Sequence, residues 1–334
     1  MTFCLSLRIY NIFIFILRRI LSVTLYNGNG IDLSGGNPIS SQKPTLRALA
    51  GKKIDDWEKY IIRSSTGKRV LAAFYRSSVY HFLSIKVNEF LDVKLLEDVQ
   101  HHQLPKHIAI IMDGNRRFAK ELGLSWEAGH IFGKEKIEEV LDWCFDLGIG
   151  VLTVYAFSTE NFKRSEKEVK ILMSLLKEEL DLAKEDSRIH KNKVRIRILG
   201  RLDSLPKDIQ QSAQSIMELT QSYKTYHLNI ALAYGGREEI IQAIQRMGSD
   251  IKKGKLKIKD ISEKTVSSYL YTSGLPDPDL ILRTSGEERI SNFLLWQLAY
   301  SELYFCDVYW PALQKRDFLL AIRTYQQRKR RFGK

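Results

Sequence analysis

The chain has 334 residues, of which 44% are hydrophobic and 27% are charged; this composition supports a packed core and excludes a disordered or fibrous protein. Its 52 basic and 39 acidic residues leave a net charge of +13, which favours a negatively charged partner such as nucleic acid, an anionic membrane or a phosphorylated small molecule. The three cysteines are isolated, so we expect no disulfide framework, no cysteine-based zinc site and a reducing, cytoplasmic setting.

The first 45 residues have the composition of a leader followed by a flexible linker. The apolar stretch Tyr10–Leu17 is closed by two arginines and is far shorter than the roughly 20 residues that cross a bilayer. No small-residue cleavage site follows it, which argues against a signal peptide. A frayed or misassigned leader and an amphipathic surface anchor both remain open. Residues 27–45 are rich in the Gly, Asn, Ser and Pro that are typical of linkers.

Residues 46–103 form a predicted helical extension. The pattern from Ile54 to Val99 is helical, and Phe74, Val79 and Phe82 recur at spacings that fit one apolar face. We expect this face to pack either on the body of the protein or on a membrane.

The remaining region, residues 104–334, alternates short apolar runs with longer segments of helical period. The predicted strands are His107–Met112, Val151–Phe157, Val194–Leu199, Leu228–Ala233 and Leu280–Leu282, with a sixth near Val308. The predicted helices are Gly133–Leu147, which ends at Gly148, Ser165–Asp186, which opens with a Ser165/Glu168 capping box, and Arg237 to about Met247. This alternation predicts an α/β fold, an open, mostly parallel six-stranded sheet flanked by helices. Ligands bind such sheets at the carboxyl ends of the strands.

The first polar cluster, Asp113–Arg117, directly follows the first predicted strand. A polar turn that leads into a helix exposes backbone N–H groups, and Arg116 and Arg117 add positive charge, so the segment suits a phosphate. The carboxylate of Asp113 would repel that phosphate unless a cation bridged them, which points to Mg²⁺. The alternative is that Asp113 only caps the helix and that the arginines are solvated.

Three further sites follow later strands. The cluster Phe157–Arg164 offers hydroxyls, an amide and an arginine, with Phe162 as an apolar surface, although helix capping explains it equally well. Arg283 and Arg289 could clamp oxygen anions, or could pair with the neighbouring glutamates on the surface. Glu302 lies among aromatic and apolar residues, where a carboxylate needs a partner, and a metal is one.

Several other chemistries are excluded by the residues themselves. The segment Gly129–Lys134 resembles a phosphate loop, but it has one residue too few between its glycines and carries Glu135 in place of Ser or Thr. No dinucleotide fingerprint follows the first predicted strand. The histidines are dispersed apart from His101 and His102 and lack the spacing of a zinc site. His130, taken alone, is more often a structural histidine.

Five sequence blocks occur together in a fixed order, namely Ile111–Arg117, Gly129-His130, Tyr155–Phe162, Tyr234–Arg237 and Ile281–Gln297. As a set they resemble the cis-prenyltransferases, the undecaprenyl and dehydrodolichyl diphosphate synthases, and the resemblance covers residues 104–334. The first, third and fifth blocks look more like the archaeal and eukaryotic branch than the common bacterial one. Archaeal members are associated with a geranylgeranyl starter; a farnesyl starter is the alternative.

The resemblance implies a prenyltransferase that condenses isopentenyl diphosphate stepwise onto an allylic prenyl diphosphate, with Mg²⁺ as cofactor. The expected product is a long cis-polyprenyl diphosphate such as undecaprenyl diphosphate, the precursor of a glycosyl carrier lipid. The resemblance further implies an apolar tunnel for the growing chain and a homodimer that meets the membrane surface when product is released. The apolar segments around Ile171–Leu182 would suit such a tunnel, but the same leucines would be ordinary core in another protein, so the lining residues stay unassigned.

The resemblance also assigns site residues. Asp113 is the essential acid and a Mg²⁺ ligand, and Asn161 falls at the position proposed for proton removal. Glu302 matches a Mg²⁺-linked acid, which in some accounts of the family is supplied across the dimer. The substrate-binding residues are Gly114, Asn115, Arg116, Arg117, Phe118 and His130 on the allylic side, Ser158, Thr159, Glu160, Phe162 and Arg164 at the junction of the substrates, Arg283, Arg289, Ile290 and Ser291 for isopentenyl diphosphate, and Arg331 and Gly333 in a tail that closes over the neighbour's site.

Two departures and two rival functions bear on this interpretation. Trp126 stands where many bacterial relatives place an arginine, so one diphosphate contact is missing or replaced. Asp55-Asp56 lacks the continuation of the aspartate-rich motif of the all-helical trans-prenyl synthases. A non-catalytic partner subunit would lack the first-block aspartate, whereas this chain has Asp113 and the tail, which predicts an active homodimer. A basic C-terminal cluster without a recognition motif gives little reason to expect nucleic acid.

Overall fold

A computed structural model describes residues 78–328, with side chains from residue 89 onward. Contacts divide the chain into two units, Met1–Glu97 and Asp98–Lys334. The predicted leader, the linker and most of the helical extension lie outside the described residues. Helix α1, Ser78–Gln100, is the described part of that extension. Within residues 78–328 no helix combines the length and the apolar character that crossing a membrane requires.

The core of the second unit is a six-stranded parallel sheet with the strand order β3-β4-β2-β1-β5-β6. The strands are β1, His107–Ile111, β2, Val151–Ser158, β3, Val194–Leu199, β4, Tyr226–Tyr234, β5, Leu280–Arg283, and β6, Glu302–Phe305. All five residues of β1 are buried, and the strand lies between β2 and β5 in the interior of the sheet. A continuous apolar run is typical of such a strand. The predicted fold class is confirmed.

Eight helices of the described region connect or flank these strands. They are α2, Asn115–Glu121, α3, Trp126–Leu147, α4, Glu166–Leu182, α5, Ser187–Lys191, α6, Lys207–Thr220, α7, Gly236–Lys252, α8, Glu263–Tyr269, and α9, Lys315–Gln327. Helix α6 has its apolar residues at helical spacing, and Ile209, Ala213 and Ile216 are fully buried.

Two helix boundaries and one helix cap differ from the sequence-based predictions. Helix α3 begins at Trp126 and not at Gly133, because the side chain of Ser125 accepts a hydrogen bond from the Ala128 amide and caps the helix there. The helix predicted to reach Asp186 ends at Leu182, and Asp186 instead caps α5. At the start of α4 the Ser165 side chain accepts from the Glu168 amide as predicted, but the Glu168 carboxylate pairs with Arg164 and Arg116 and does not complete the predicted capping box.

The sixth strand lies at Glu302–Phe305, so its predicted position near Val308 was wrong. The pairing explains the difference, because β6 must lie level with β5, and Leu280 pairs with Glu302 while Arg283 pairs with Phe305. The backbone at Val308 serves the site instead, since its carbonyl accepts a hydrogen bond from the Ser285 amide.

Parallel pairing brings the carboxyl ends of the central strands together at one edge of the sheet, the carboxyl edge. Ile111 at the end of β1 lies beside Tyr155 of β2 and beside Arg283 at the end of β5. The segments that follow these strands therefore meet at this edge, and they contain most of the polar side chains singled out from the sequence.

Candidate active site

Asp113 and Arg283 form the centre of this edge. The Arg283 side chain is only 4% exposed, and its Nη2 donates to Asp113 Oδ2 over 2.8 Å. Its Nη1 donates to Ser291 Oγ over 2.8 Å and also to the Arg289 carbonyl. A buried guanidinium with three fixed acceptors is rigid. Arg283 therefore ties the first polar cluster to the loop that follows β5.

Arg117 approaches the same carboxylate from α2. Its Nη2 donates to Asp113 Oδ1 over 3.2 Å and to Ser285 Oγ over 2.6 Å, and its Nη1 donates to Glu287 Oε1 over 3.2 Å. The guanidinium also lies over the Tyr309 ring, a cation–π contact. Asp113 is thus held by two arginines, Arg117 on one carboxylate oxygen and Arg283 on the other.

The charge of Asp113 is stabilised by these arginines. Partial burial alone would raise the pKa of Asp113, but hydrogen bonding and charge from Arg283, followed by the charge of Arg117, outweigh it and hold the pKa below its usual value. The side chain remains 29% exposed to the cavity above it. Asp113 is therefore an ionised and accessible carboxylate at neutral pH.

The turn before α2 is built for close approach. Gly114 has a φ of 106°, and a Cβ atom at this position would lie 2.7 Å from Tyr309 Cδ1, so only glycine fits. The first amides of an α-helix have no intrahelical partner, and Gly114 offers no side chain to cap those of α2. Such free N–H groups are suited to an anion.

His130, on the first half of α3, lies beside this turn. Its Nδ1 is 3.5 Å from Asn115 Nδ2, and its buried Nε2 has no hydrogen-bond partner in the described part of the chain. Burial, and then the charges of Arg164 and Arg116, lower the pKa of His130 to about 4. The ring is therefore neutral at pH 7 before a ligand binds. Trp126 packs edge-on against it.

The loop after β2 forms a third wall of the site, beside the Asp113–Arg283 contact and the start of α2. Ser158 and Asn161 form a reciprocal capping box, in which Ser158 Oγ accepts from the Asn161 amide and Asn161 Oδ1 accepts from the Ser158 amide. The helix capping that the sequence offered as an alternative role for this cluster is therefore present in the structure. Arg164 donates to Glu168 Oε1 over 2.8 Å, and Arg116 lies 3.6 Å from the same oxygen. Glu168 thus holds two arginines at the cavity wall.

These three walls enclose a polar cavity of about 1330 Å³. Six cationic side chains and two carboxylates line it, namely Arg116, Arg117, Lys120, Arg164, Arg283 and Arg289, with Asp113 and Glu160. The excess of positive charge suits a ligand with several negative charges.

An apolar cavity of about 220 Å³ opens from the polar one, and Met112, Asn115, His130, Ala156 and Leu172 line both. Its walls are one face of the sheet and the facing sides of α3 and α4, and they include Ile137, Leu141, Val154, Leu175, Leu176, Leu180, Ile230 and Leu232. The apolar tunnel expected from the resemblance is present, and the structure assigns part of its wall, which the sequence left unassigned, to leucines of the segment around Ile171–Leu182.

Most of the site residues singled out from the sequence meet at the polar cavity. Those that line it are Asp113, Gly114, Asn115, Arg116, Arg117, His130, Ser158, Glu160, Asn161, Arg164, Arg283, Arg289 and Ser291. Four other predicted residues, Phe118, Thr159, Phe162 and Ile290, do not line it. Phe162 packs its ring edge-on against Phe157 and is 38% exposed, and Phe118 packs against Phe132.

Glu302 lies apart from this cluster. Glu302 starts β6, level with Leu280 at the amino end of β5, and its carboxylate accepts from Arg328 over 2.7 Å. Within one chain it is therefore at the opposite edge of the sheet from Asp113. Arg331 and Gly333 lie outside the described residues.

The structure adds residues that the sequence did not single out as site residues. Thr284 accepts from the Asp113 amide and donates to the Asp113 carbonyl, over 2.9 Å and 2.7 Å. Asn292 donates to Glu160 and accepts from the Arg237 amide, each over 3.0 Å. Asn292 belongs to the fifth sequence block, Ile281–Gln297. Only the pairing of the strands shows that it links the segment after β5 to the segments after β2 and β4.

Comparison with known proteins gives consistent results. Residues 111–333 match a prenyltransferase family model described as undecaprenyl diphosphate synthase. The chain is 52% identical over 247 residues to a tritrans,polycis-undecaprenyl-diphosphate synthase (geranylgeranyl-diphosphate specific) of Picrophilus torridus, covering 74% of this chain and 97% of the relative. A protein of the same description from Methanocaldococcus jannaschii is 49% identical over 277 residues, covering 81% and 96%.

A solved structure is similar as well. The crystal structure of lavandulyl diphosphate synthase from Lavandula x intermedia in complex with dimethylallyl diphosphate matches with a TM-score of 0.67 and 35% identity. The match covers 69% of this chain and 99% of that one.

Proposed function

The chain belongs to the undecaprenyl diphosphate synthase family of prenyltransferases, and we propose that it condenses isopentenyl diphosphate stepwise onto geranylgeranyl diphosphate. The product would be a cis-polyprenyl diphosphate of about undecaprenyl length. The starter and the length follow the printed names of the archaeal relatives. One observation in the chain itself carries the proposal: the ionised Asp113, held by Arg283 and Arg117, lies where a cationic cavity opens into an apolar one.

The polar cavity has room and charge for two diphosphates. The allylic diphosphate would lie at Asp113–Arg117, where the start of α2 offers free amides, with its hydrocarbon chain in the apolar cavity. Isopentenyl diphosphate would bind at Arg289, Ser291 and Arg283. Because Arg283 touches both Asp113 and Ser291, it would hold the two substrates side by side.

The site fits a Mg²⁺ ion that the protein and the bound substrate would hold together. The described residues contain no group of three or more His, Cys, Asp or Glu side chains that could bind a metal by themselves. Mg²⁺ commonly takes one or two carboxylates together with substrate phosphates and water, and Asp113 is an accessible carboxylate with free lone pairs. When bound, Mg²⁺ would neutralise charge that develops on the departing diphosphate.

The reaction then follows from the two environments. The allylic carbon–oxygen bond breaks as pyrophosphate leaves, the allylic carbon bonds to the terminal alkene carbon of isopentenyl diphosphate, and a proton is lost to form the new double bond. Arg116, Arg117 and the α2 amides stabilise the leaving pyrophosphate. The apolar wall around Ala156 and Leu172 excludes water that would trap the allylic cation as an alcohol.

His130 and Asn161 have supporting roles in this proposal. A diphosphate beside His130 would favour its charged form and raise the low pKa, which would let the ring donate a hydrogen bond to the leaving group. Asn161 would orient isopentenyl diphosphate at the step in which the proton leaves. Since Asn161 Oδ1 already accepts from the Ser158 amide and an amide is a weak base, the released pyrophosphate would take the proton.

We propose that the active form is a homodimer. The position of Glu302, opposite Asp113 in its own chain, is compatible with service to the neighbour's site as a second Mg²⁺-linked acid, together with the tail that contains Arg331 and Gly333. We also propose that residues 1–45 form a leader and linker, that residues 46–103 form a separate helical extension, and that the product is released at a membrane surface from a cytoplasmic enzyme.

The test uses the purified full chain with labelled isopentenyl diphosphate, either geranylgeranyl or farnesyl diphosphate, and Mg²⁺. We expect long cis-polyprenyl diphosphates, formed faster from the geranylgeranyl starter and abolished by a chelator. Chain length is measured after dephosphorylation. An absence of elongation unless a second, different subunit is added would contradict the proposal and would favour a partner subunit.

A further inference from the structure

The turn that follows α7 concentrates positive charge that the proposed reaction does not use. Residues 252–261 contain five lysines and one acidic residue, Asp260, so this short segment has a net charge of +4 out of +13 for the whole chain. We call residues 252–261 the lysine turn. Its lysines are Lys252, Lys253, Lys255, Lys257 and Lys259.

The charge of the lysine turn is open to a partner. All five lysine side chains are exposed, and within residues 89–328 none of them has an ion-pair partner. Asp250, just before the turn, accepts instead from the Tyr269 hydroxyl over 2.8 Å. The positive charge is therefore not neutralised inside the described part of the chain.

The lysine turn is remote from the polar cavity. Helix α7 begins at Gly236, whose amide donates over 2.7 Å to the carbonyl of Asn292, a residue that lines the cavity. The helix ends at Lys252, which is a rise of about 24 Å. No residue of the turn lines the polar cavity. A diphosphate bound at Asp113 therefore does not account for these lysines.

Hydrogen bonds fix the backbone of the turn. Gly254 has a φ of 72°, which glycine adopts at little cost at the end of a helix. The amides of Lys255 and Leu256 both donate to the Asp250 carbonyl, over 2.8 Å and 3.3 Å, and Ile258–Asp260 form a 3₁₀ turn. Because the backbone is already ordered, little entropy is lost when the turn binds a partner.

Two apolar side chains lie among the lysines. The side chain of Ile258 is 73% exposed and that of Ile261 is 41% exposed. Lysines alone would suit any polyanion, including nucleic acid, but exposed isoleucines need an apolar environment to gain from binding. A second copy of the turn would bring like charges together. An anionic membrane offers both headgroup charge and a hydrocarbon boundary.

We propose that the lysine turn docks the enzyme on an anionic membrane surface, with the lysines at the lipid headgroups and Ile258 inserted between them. The choice of a membrane rests on the proposed function, because a polyprenyl diphosphate is a lipid that partitions into a bilayer. The turn holds the subunit at the surface that receives the product, while the distant diphosphate site stays accessible to its substrates. A homodimer presents two such turns and binds more tightly than one subunit.

The test measures co-sedimentation of the purified full chain with phosphatidylcholine vesicles that contain or lack phosphatidylglycerol. We expect at least about tenfold tighter binding to the anionic vesicles, and weaker binding as salt screens the charges. Lys255→Gln with Lys257→Gln should weaken this binding by at least about tenfold, because each lysine near an anionic surface contributes separately. The matched control is Lys207→Gln with Lys224→Gln, which removes two other exposed lysines and should change binding by less than about twofold.

Ile258→Ser separates a membrane from a general polyanion. It should weaken binding to anionic vesicles by about fivefold, because the apolar side chain no longer inserts, and should leave the weak binding of a double-stranded oligonucleotide unchanged. The replaced side chains are exposed, so every variant should unfold at the wild-type temperature. Elongation of a starter dispersed in detergent should also stay within about twofold, whereas elongation of a starter embedded in anionic vesicles should fall in the lysine variant.

The possible results differ in what they overturn. If the lysine variant and its control bind anionic vesicles equally, the turn is not the docking surface and this inference is wrong. If Ile258→Ser binds the vesicles as the wild type does, or if the oligonucleotide binds more tightly than the vesicles, the turn is a general anion-binding surface, which also contradicts the inference. If the wild type docks through the turn but elongates no prenyl diphosphate, the proposed function fails and the docking surface stands.

Discussion

The substitution Asp113→Asn tests the centre of the site because it keeps the shape of the side chain and removes its charge. In the wild type the carboxylate accepts from Arg283 over 2.8 Å and from Arg117 over 3.2 Å. An asparagine offers one oxygen, and its NH₂ group would face a guanidinium donor. One charge-assisted hydrogen bond is therefore lost and the other is weakened.

The size of the effect follows from burial. Hydrogen bonds to charged groups contribute about 1.5–3 kcal/mol each, and Arg283 is almost fully buried. Within residues 89–328 Asp113 is the carboxylate within ion-pair distance of Arg283, so the substitution leaves this cation without its counter-ion. Because Asp113 itself is partly exposed, we expect a loss of about 2–4 kcal/mol in the free energy of unfolding at pH 7.

Urea denaturation measures this loss, and initial rates of isopentenyl diphosphate incorporation measure the effect on catalysis. We expect the rate to fall by at least about 10²-fold, because the charge that positions Mg²⁺ and Arg283 is gone. Asp146→Asn, at an exposed ion pair with Lys315, is the matched control and should change stability by less than about 0.5 kcal/mol. Stability and rate near wild-type values in Asp113→Asn would refute the reasoning.

Three further predictions concern other parts of the site. The pKa of His130 is lowered from 6.5 to about 4, so the unfolded chain binds the proton at a higher pH than the folded chain does, and the wild type loses about 2 kcal/mol of unfolding free energy between pH 7 and pH 5 through this group. Urea denaturation of the wild type and of His130→Gln at both pH values should show a loss that is smaller in the variant by that amount. An equal loss in both proteins would contradict the low pKa. Gly114→Ala should lower both stability and the rate of elongation, because the φ of 106° and the 2.7 Å approach to Tyr309 leave no room for a methyl group; thermal unfolding and initial rates check this, and a wild-type melting temperature would argue against the strain. Asn292→Ala should raise the KM for isopentenyl diphosphate more than it lowers kcat, since it frees the loop that carries Arg289; an unchanged KM would show that Asn292 does not position this loop.

The sequence was sufficient for the parts of the fold that local patterns determine. Buried parallel strands such as Val194–Leu199 are continuous apolar or alternating runs, and their bounds were predicted within a few residues. The sixth strand was misplaced, because its position depends on pairing with β5 and not on its own composition. The start of α3 was missed for a local reason, since the capping serine lies before a tryptophan and a glycine that do not look helical.

The site was predictable where the residues are adjacent in sequence and less so where the fold brings them together. Asp113 and Arg117 lie in one block, and the sequence suggested their role. The contacts of Arg283 with Asp113, 170 residues apart, and of Asn292 with Glu160, 132 residues apart, depend on the strand order, which the sequence pattern left undetermined.

The central claim is that Asp113 and its arginines hold a diphosphate at the mouth of an apolar cavity with the help of Mg²⁺. Isothermal titration of the full chain with an unreactive thiol analogue of geranylgeranyl diphosphate, with Mg²⁺ and with a chelator, tests it directly. We predict tight binding with Mg²⁺, at least about tenfold weaker binding with the chelator, and no effect of Mg²⁺ on Asp113→Asn. Equal affinity in all three conditions would contradict the account.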